Sequence, residues 1–223
     1  MEIIKINENF YWLGVKDKQL RNFDIIMETK YGTTYNSYLL KTTMGAILFE
    51  TVKAKFFDEY LIKLQELIDV SDIKYIVCSH TEPDHSGSLI KLLELNPTIE
   101  IISSITANRY LQEIINDEFK SRIVKDNEVL KIADKTLTFY SALNLHWPDA
   151  MYTYLQEDKI LVSCDSFSAH FATDEMLLSK VVRKDNYFEA LYYYTEMIMG
   201  PFKNFIDRAM DKIKDLDINY IDT

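Results

Sequence analysis

Between Cys78 and Ser88 the chain reads CSHTEPDHSGS, which gathers four metal-ligand side chains, His80, Glu82, Asp84 and His85, within six residues. Imidazoles and carboxylates without a thiolate suit iron, manganese or zinc rather than copper(I) or an iron–sulfur cluster. Alternation along an extended chain turns His80, Glu82 and Asp84 to similar sides and His85 to another. A single ion would be over-supplied by such a set, whereas a pair of ions needs that split. Two more ligand types close apolar runs: His146 ends TLTFYSALNL ahead of Trp147 and Pro148, and Asp165 ends KILVSC. An ionisable residue placed directly after a buried run is cut off from bulk water and needs a partner. Three carboxylates and three imidazoles meeting on one rim are balanced by two divalent cations and a bridging hydroxide. Glu82 adds oxygen character and negative charge, which favours iron over zinc. The plainer alternative is a polar surface loop in which Asp84 or Ser86 caps the helix after Gly87.

These residues need rigid elements beneath them. Ile3 to Ile6, Phe10 to Val15, Tyr35 to Lys41 and Gly45 to Thr51 read as strands separated by polar turns. From Ala54 to Ile68 the apolar residues Phe56, Phe57, Tyr60, Leu61, Leu64, Leu67 and Ile68 recur with helical period. Ile73 to Cys78 is a short apolar strand that ends at the ligand-rich loop, as sites in α/β sheets do. A helix (Ser88 to Leu95), a strand (Ile99 to Ser103) and a helix (Ile105 to Asn116) follow. A second strand-rich half runs from Arg122 to Ser163, and the last third is helical, with Asp185 to Ala209 apolar nearly all round. No linker, repeat or charge block divides residues 1–223. The order predicts an α/β fold with two sheets face to face and helices outside, an αββα sandwich forming one domain.

The 223 residues are 48% apolar with a net charge of −10, so a sizeable core is expected and nucleic acid or an anionic membrane is not an expected partner. No apolar run reaches the roughly 18 residues a membrane span needs. The amino terminus, MEIIKINENF, is not a signal peptide. Cys78 and Cys164 are too few for a disulfide framework, and both are read as reduced core filler in a cytoplasmic protein. His170 is read as a donor behind the ligands, a substitute ligand or a structural histidine. Of Tyr192, Tyr193 and Tyr194, which cannot all face one side of a helix, Tyr194 is the candidate for the pocket.

On these residues the chain resembles the flavodiiron proteins of the metallo-β-lactamase superfamily. The superfamily's zinc hydrolases carry HxHxDH, and this chain has HTEPDH, the flavodiiron variant with Glu second. YGTTYNSYLL (31–40), SHTEPDHSGSL (79–89), LHWPDAMYTYL (145–155), DKILVSCDSFSAHF (158–171) and YYTEMIMGPF (193–202) resemble that family's blocks in its order. The resemblance implies a metallo-β-lactamase-like αββα sandwich holding two irons with an oxo, hydroxo or peroxo bridge. His80, Glu82 and His146 would bind one iron, Asp84 and His85 the other, and Asp165 would bridge them. It further implies reaction of the reduced pair with dioxygen or nitric oxide. Family members add a ligand His from a PSHG-like segment, expected just beyond INYIDT. They also often carry a pocket His in an RxFHGY-like stretch, where this chain has Arg21-Asn22-Phe23-Asp24. No flavodoxin-like segment lies in 1–223, so no FMN is expected here. The favoured expectation is an oxygen sensor in which gas binding, not rapid turnover, alters contact with a chemotaxis partner such as the deamidase CheD. The alternative is an oxygen or nitric oxide reductase fed by a separate redox protein. A zinc hydrolase is the third reading, against which Glu82 argues by lowering Lewis acidity. The head-to-tail homodimer of relatives remains open.

Overall fold

The computed structural model describes residues 2–25 and 27–223. The chain opens with β1 (Ile4–Lys5), β2 (Phe10–Trp12), β3 (Val15–Asp17), β4 (Asn22–Phe23), β5 (Met27–Glu28), β6 (Thr33–Tyr35), β7 (Tyr38–Thr42) and β8 (Gly45–Phe49). Next come α1 (Phe57–Leu67), β9 (Ile73–Cys78), α2 (Pro83–Ser86), α3 (Leu89–Leu95), β10 (Glu100–Ser103), α4 (Ile105–Ile115) and β11 (Lys120–Ile123). The second half holds β12 (Glu128–Ile132), β13 (Lys135–Ser141), β14 (Met151–Leu155) and β15 (Ile160–Val162). It ends with α5 (Lys184–Tyr194), α6 (Lys203–Ile213) and β16 (Tyr220–Asp222).

Among the described residues one sheet has the order β1-β2-β7-β8-β9-β10-β11 and the other β12-β13-β14-β15-β16. Both are mixed: β8 to β11 run parallel in the first, and β16 joins β15 in parallel in the second. The central strands alternate between two apolar clusters, as period-two side chains must when both faces are covered. Leu40, Ile47, Phe49, Val77, Phe139 and Val162 meet in a cluster drawn from both sheets, the layer between them. Their neighbours Leu39, Leu48, Ile76 and Leu161 belong to the other cluster, with Tyr60 and Leu64 of α1, Leu111 of α4 and Ile213 of α6. That is the αββα sandwich the sequence pattern implied.

Phe139 is 1% exposed at the centre of the inter-sheet layer. Phe139→Ala should therefore destabilise the fold by about 3–5 kcal/mol, since the surrounding strands cannot collapse into the void. Denaturant titration checks this.

Several boundaries differ from the sequence reading. The strand expected from Phe10 to Val15 splits into β2 and β3, and the one from Tyr35 starts as β7 at Tyr38, because β3 leaves the sheet to pair with β6. β11 pairs with β10 on the edge of the first sheet instead of opening the second half. The expected helix from Asp185 to Ala209 breaks after α5 into a wide π turn (Thr195–Met199) and a 3-10 turn (Gly200–Phe202). Pro201 has no N–H to continue the ladder. Residues 163–183 are mostly irregular, so the last third is only partly helical.

Candidate metal centre

The carboxyl ends of β8, β9, β13, β15 and β16 point to one edge of the sandwich. The two sheets are tied there by the Met151 amide, which donates to the Ser79 carbonyl at 3.1 Å. His80 follows β9, His146 lies on the loop after β13, and Asp165 follows β15. Ligand atoms of His80, Glu82, His146 and Asp165 all lie within 4.8 Å of one another. Glu82 Oε2 is 3.2 Å from Nε2 of both His80 and His146. Asp165 Oδ2 is 3.6 Å from His80 Nε2 and 3.3 Å from His146 Nε2. Donor atoms about 2.1 Å from an ion, at tetrahedral or octahedral angles, stand about 3.0–3.4 Å apart, which matches this spacing.

The other oxygen of the same carboxylate looks elsewhere. Asp165 Oδ1 is 3.1 Å from His85 Nε2, and Asp84 Oδ1 is 3.9 Å from that nitrogen. The alternation expected to turn Asp84 with His80 and Glu82 fails, because the chain stops being extended at Pro83 and α2 carries Asp84 round to the side of His85. Neither Asp84 nor Ser86 caps a helix: α2 and α3 have no side-chain caps, and Ser86 Oγ donates to the carbonyls of Thr81 and Glu82. Gly87 is required just beyond, since a Cβ there would press on the Pro83 carbonyl and lie 2.7 Å from the Ala54 amide nitrogen.

Two acids that the sequence reading did not single out stand behind the imidazoles. Asp149 is fully buried and accepts from the Thr81 amide at 2.9 Å and the Thr81 hydroxyl at 2.7 Å. Its other oxygen is 3.0 Å from His80 Nδ1, which must donate, so Nε2 is left to face the cavity. Glu50 accepts from the Ser79 amide and lies 3.7 Å from His85 Nδ1. Glu50 had the same signal as Asp165, an acid directly after an apolar strand. Asp149 had only its place three residues after His146. Cys164, read as filler, in fact has its Sγ 3.9 Å from His85 Nδ1, while Cys78 packs under the His80 carbonyl. Asp149→Ala should weaken metal binding about 10–100-fold by freeing the His80 ring. Competition with a calibrated chelator measures it.

The electrostatics are those of a cation site. Burial works against charge on His80 and His146, yet pairing with Asp149 and Glu82 lifts His80 to about 9, and pairing with Asp165 and Glu82 lifts His146 to about 10. Burial alone would raise Asp165, but the facing imidazoles of His85 and His146 hold it well below the usual carboxylate range. Burial raises Asp84. Asp84 Oδ1 and Asp165 Oδ2 are buried without a hydrogen-bond donor. Orphaned carboxylate oxygens in such a place call for a cation. The residues fit a pair of metal ions, with Asp165 presenting one oxygen to each group.

A cavity of about 220 Å³ opens over these ligands, with Asp24, Thr33, His170, Tyr194 and Thr223 on its walls. Asp24 is pushed up to about 6 by burial and by its pairing with Glu82. Tyr194 is buried with its ring edge-on to His170, while Tyr192 is 68% exposed and Tyr193 is partly exposed. His170 Nδ1 lies 2.8 Å from Thr33 Oγ1, and burial lowers the ring to about 4, so it is neutral at pH 7. His170 thus joins a hydroxyl instead of the carboxylate groups.

Two facing mixed sheets with a His- and carboxylate-lined binuclear site at their edge define a metallo-β-lactamase-like core. A profile described as "ODP family beta lactamase" matches residues 33–222. The flavo-diiron protein FprA2 of Clostridium acetobutylicum is 42% identical over 225 residues, covering 100% of this chain and 56% of that protein. The nitric oxide reductase of Moorella thermoacetica is 33% identical, covering 96% of this chain and 54% of that one. The rubredoxin oxygen:oxidoreductase of the anaerobe Desulfovibrio gigas superposes with a TM-score of 0.94 at 29% identity, covering 99% of this chain and 55% of its own. The chain belongs to the ODP family of β-lactamase-like proteins, within the flavodiiron group. It spans about half the length of the curated relatives it matches.

Proposed function

We propose that residues 1–223 form one diiron domain that binds dioxygen or nitric oxide, with electrons for turnover supplied from outside these residues. The observation that carries this reading is Asp165, whose two oxygens face separate ligand groups 3.1–3.6 Å away. His80, Glu82 and His146 would hold one iron, Asp84 and His85 the other, and Asp165 both. A reduced iron pair supplies electrons and open coordination positions to a small diatomic. The chain's own side chains do the rest. Asp149 orients the imidazole of His80, and Glu50 stands 3.7 Å behind Nδ1 of His85 as a buried acid. Tyr194 brings an O–H group to the cavity wall, where it can donate a hydrogen bond to a bound gas, and Asp24, raised to about 6, pairs with Glu82 on the same wall. Residues around the cavity restrict it to small ligands.

Reduction of oxygen or nitric oxide is favoured by the similarity to the Moorella nitric oxide reductase and the Desulfovibrio rubredoxin oxygen:oxidoreductase, and needs an electron donor outside residues 1–223. The oxygen-receptor reading, with signalling to a chemotaxis partner in the cytoplasm, draws on Asp24, an acid on the wall of the metal cavity. An acid paired with Glu82 on that wall alters the polarity that a bound gas meets.

Metal analysis combined with anaerobic reduction and stepwise addition of each gas separates the uses. Iron with many turnovers from a rubredoxin- or flavodoxin-type donor is the result expected of a reductase. A single stoichiometric uptake, with every donor, is the result expected of a receptor. Zinc in the native protein together with ester or thioester hydrolysis would overturn both. No helix of the described residues is long and apolar enough to cross a membrane.

A further inference from the structure

Behind the metal cavity, on the α5 side, lies a second cavity of about 200 Å³ that shares two wall residues with it, Met27 and His170. Its remaining walls include Tyr31, Ala190 and Tyr193, and its outer end is bounded by Lys30 and Glu189. Those two are exposed and paired at 2.8 Å, with Tyr31 donating its hydroxyl to Glu189 at 2.7 Å. Lys30 and Tyr31 also line a surface cleft. Surface cleft, second cavity and metal cavity are therefore consecutive, each pair separated by shared side chains.

We infer that the second cavity is an antechamber through which dioxygen or nitric oxide reaches the metal cavity, with the His170 ring as its gate. This rests on the gas-binding reading above. Small uncharged gases favour apolar space over water, and apolar cavities can take up xenon. Buried Met27 and Ala190 give the antechamber an apolar part, with Glu28, Lys30 and Glu189 also on its walls. The ring between the cavities is held lightly for a buried group. One hydrogen bond joins its Nδ1 to Thr33 Oγ1, its face is tilted on Phe23 at 4.5 Å, and Tyr194 meets it edge-on at 5.3 Å. Loss of the Thr33 bond leaves only aromatic contacts that a ring flip can break and remake, a motion on the nanosecond scale or slower. His170 is thus a gating residue.

Two variants and one gas test this. Ala190→Leu adds bulk inside the antechamber and should slow gas binding by the iron-loaded, reduced protein about tenfold or more, with iron content and final saturation unchanged. Thr33→Val frees the ring and should speed binding several-fold. Xenon under pressure should occupy the antechamber of wild-type crystals, whether or not iron is loaded, and should leave it in Ala190→Leu. An unchanged on-rate in a natively folded Ala190→Leu protein, or xenon absent from the wild-type antechamber, overturns the route. An unchanged rate in Thr33→Val overturns the gate. Reduced protein that binds neither gas sinks the proposed function and the route together, whereas gas binding indifferent to Ala190 sinks the route alone.

Discussion

Asp165→Ala is expected to empty both metal positions, with iron content falling at least about tenfold against the wild type loaded in parallel. Among the described residues this carboxylate faces both groups: Oδ2 stands 3.6 Å from His80 Nε2 and 3.3 Å from His146 Nε2, and Oδ1 stands 3.1 Å from His85 Nε2. Alanine removes a donor from each ion at once. It also removes negative charge from the cavity, so cations are attracted less strongly. Asp24→Ala is the matched control, because Asp24 lines the same cavity but lies outside the two ligand groups. Iron should stay bound there. Metal analysis after anaerobic loading and gel filtration reads both variants. An Asp165→Ala protein that retains the full complement would show that this carboxylate is not shared.

The second large effect is on pH. Stripped by a chelator, the protein should be most stable near pH 5 to 6.5 and weaken on either side. His80 and His146 are lifted to about 9 and about 10 by their carboxylate partners, against burial, while the unfolded chain titrates near 6.5. A raised pKa contributes stability that is complete below about 6.5 and lost as pH climbs through 9 to 10. Glu82 and Asp165 are shifted down, so their contribution is complete above the ordinary carboxylate range and lost as acid protonates them. Glu50, raised to about 6 by burial, costs stability as pH climbs toward that value, whereas His170, lowered to about 4, costs stability as pH falls below 6.5 and steepens the acid side. The same protons oppose metal. Each proton displaced from an imidazole on loading should make apparent affinity climb about tenfold per pH unit between pH 6 and 8. Denaturation of the chelated protein and chelator competition across that range are the measurements. Affinity independent of pH would contradict the imidazolium–carboxylate picture.

Much of this is legible in the sequence. Apolar strands buried on both faces, helices with one stripe, and ligand types placed directly after apolar runs all report the sandwich and its edge, because burial dictates those patterns. The strand-end argument that singled out His80 and Asp165 applies equally to Glu50, whose acid follows β8. What could not be read was local geometry set by single turns. Pro83 starts a helical turn that carries Asp84 to the other ligand group, and no periodicity announces it. Asp149 is a positioning residue only because its loop folds back on Thr81, a contact between residues 68 apart. β11 looked like part of the second half, since sequence order does not say which edge a strand will join. The break at Gly200-Pro201 was visible as residues, yet the apolar surround of α5 and α6 masked it.

The bond between Met151 and Ser79 marks where the two halves of the molecule are stitched, and the candidate ligands straddle that seam. His80, Glu82, Asp84 and His85 come from one side, His146 and Asp165 from the other. Iron would then act as a rivet: each ion is gripped only while both halves remain docked, so escape of metal requires the seam to open. Release should follow sheet separation as an all-or-none event with a steep temperature dependence, and free metal in the medium should raise the melting temperature in proportion to its logarithm.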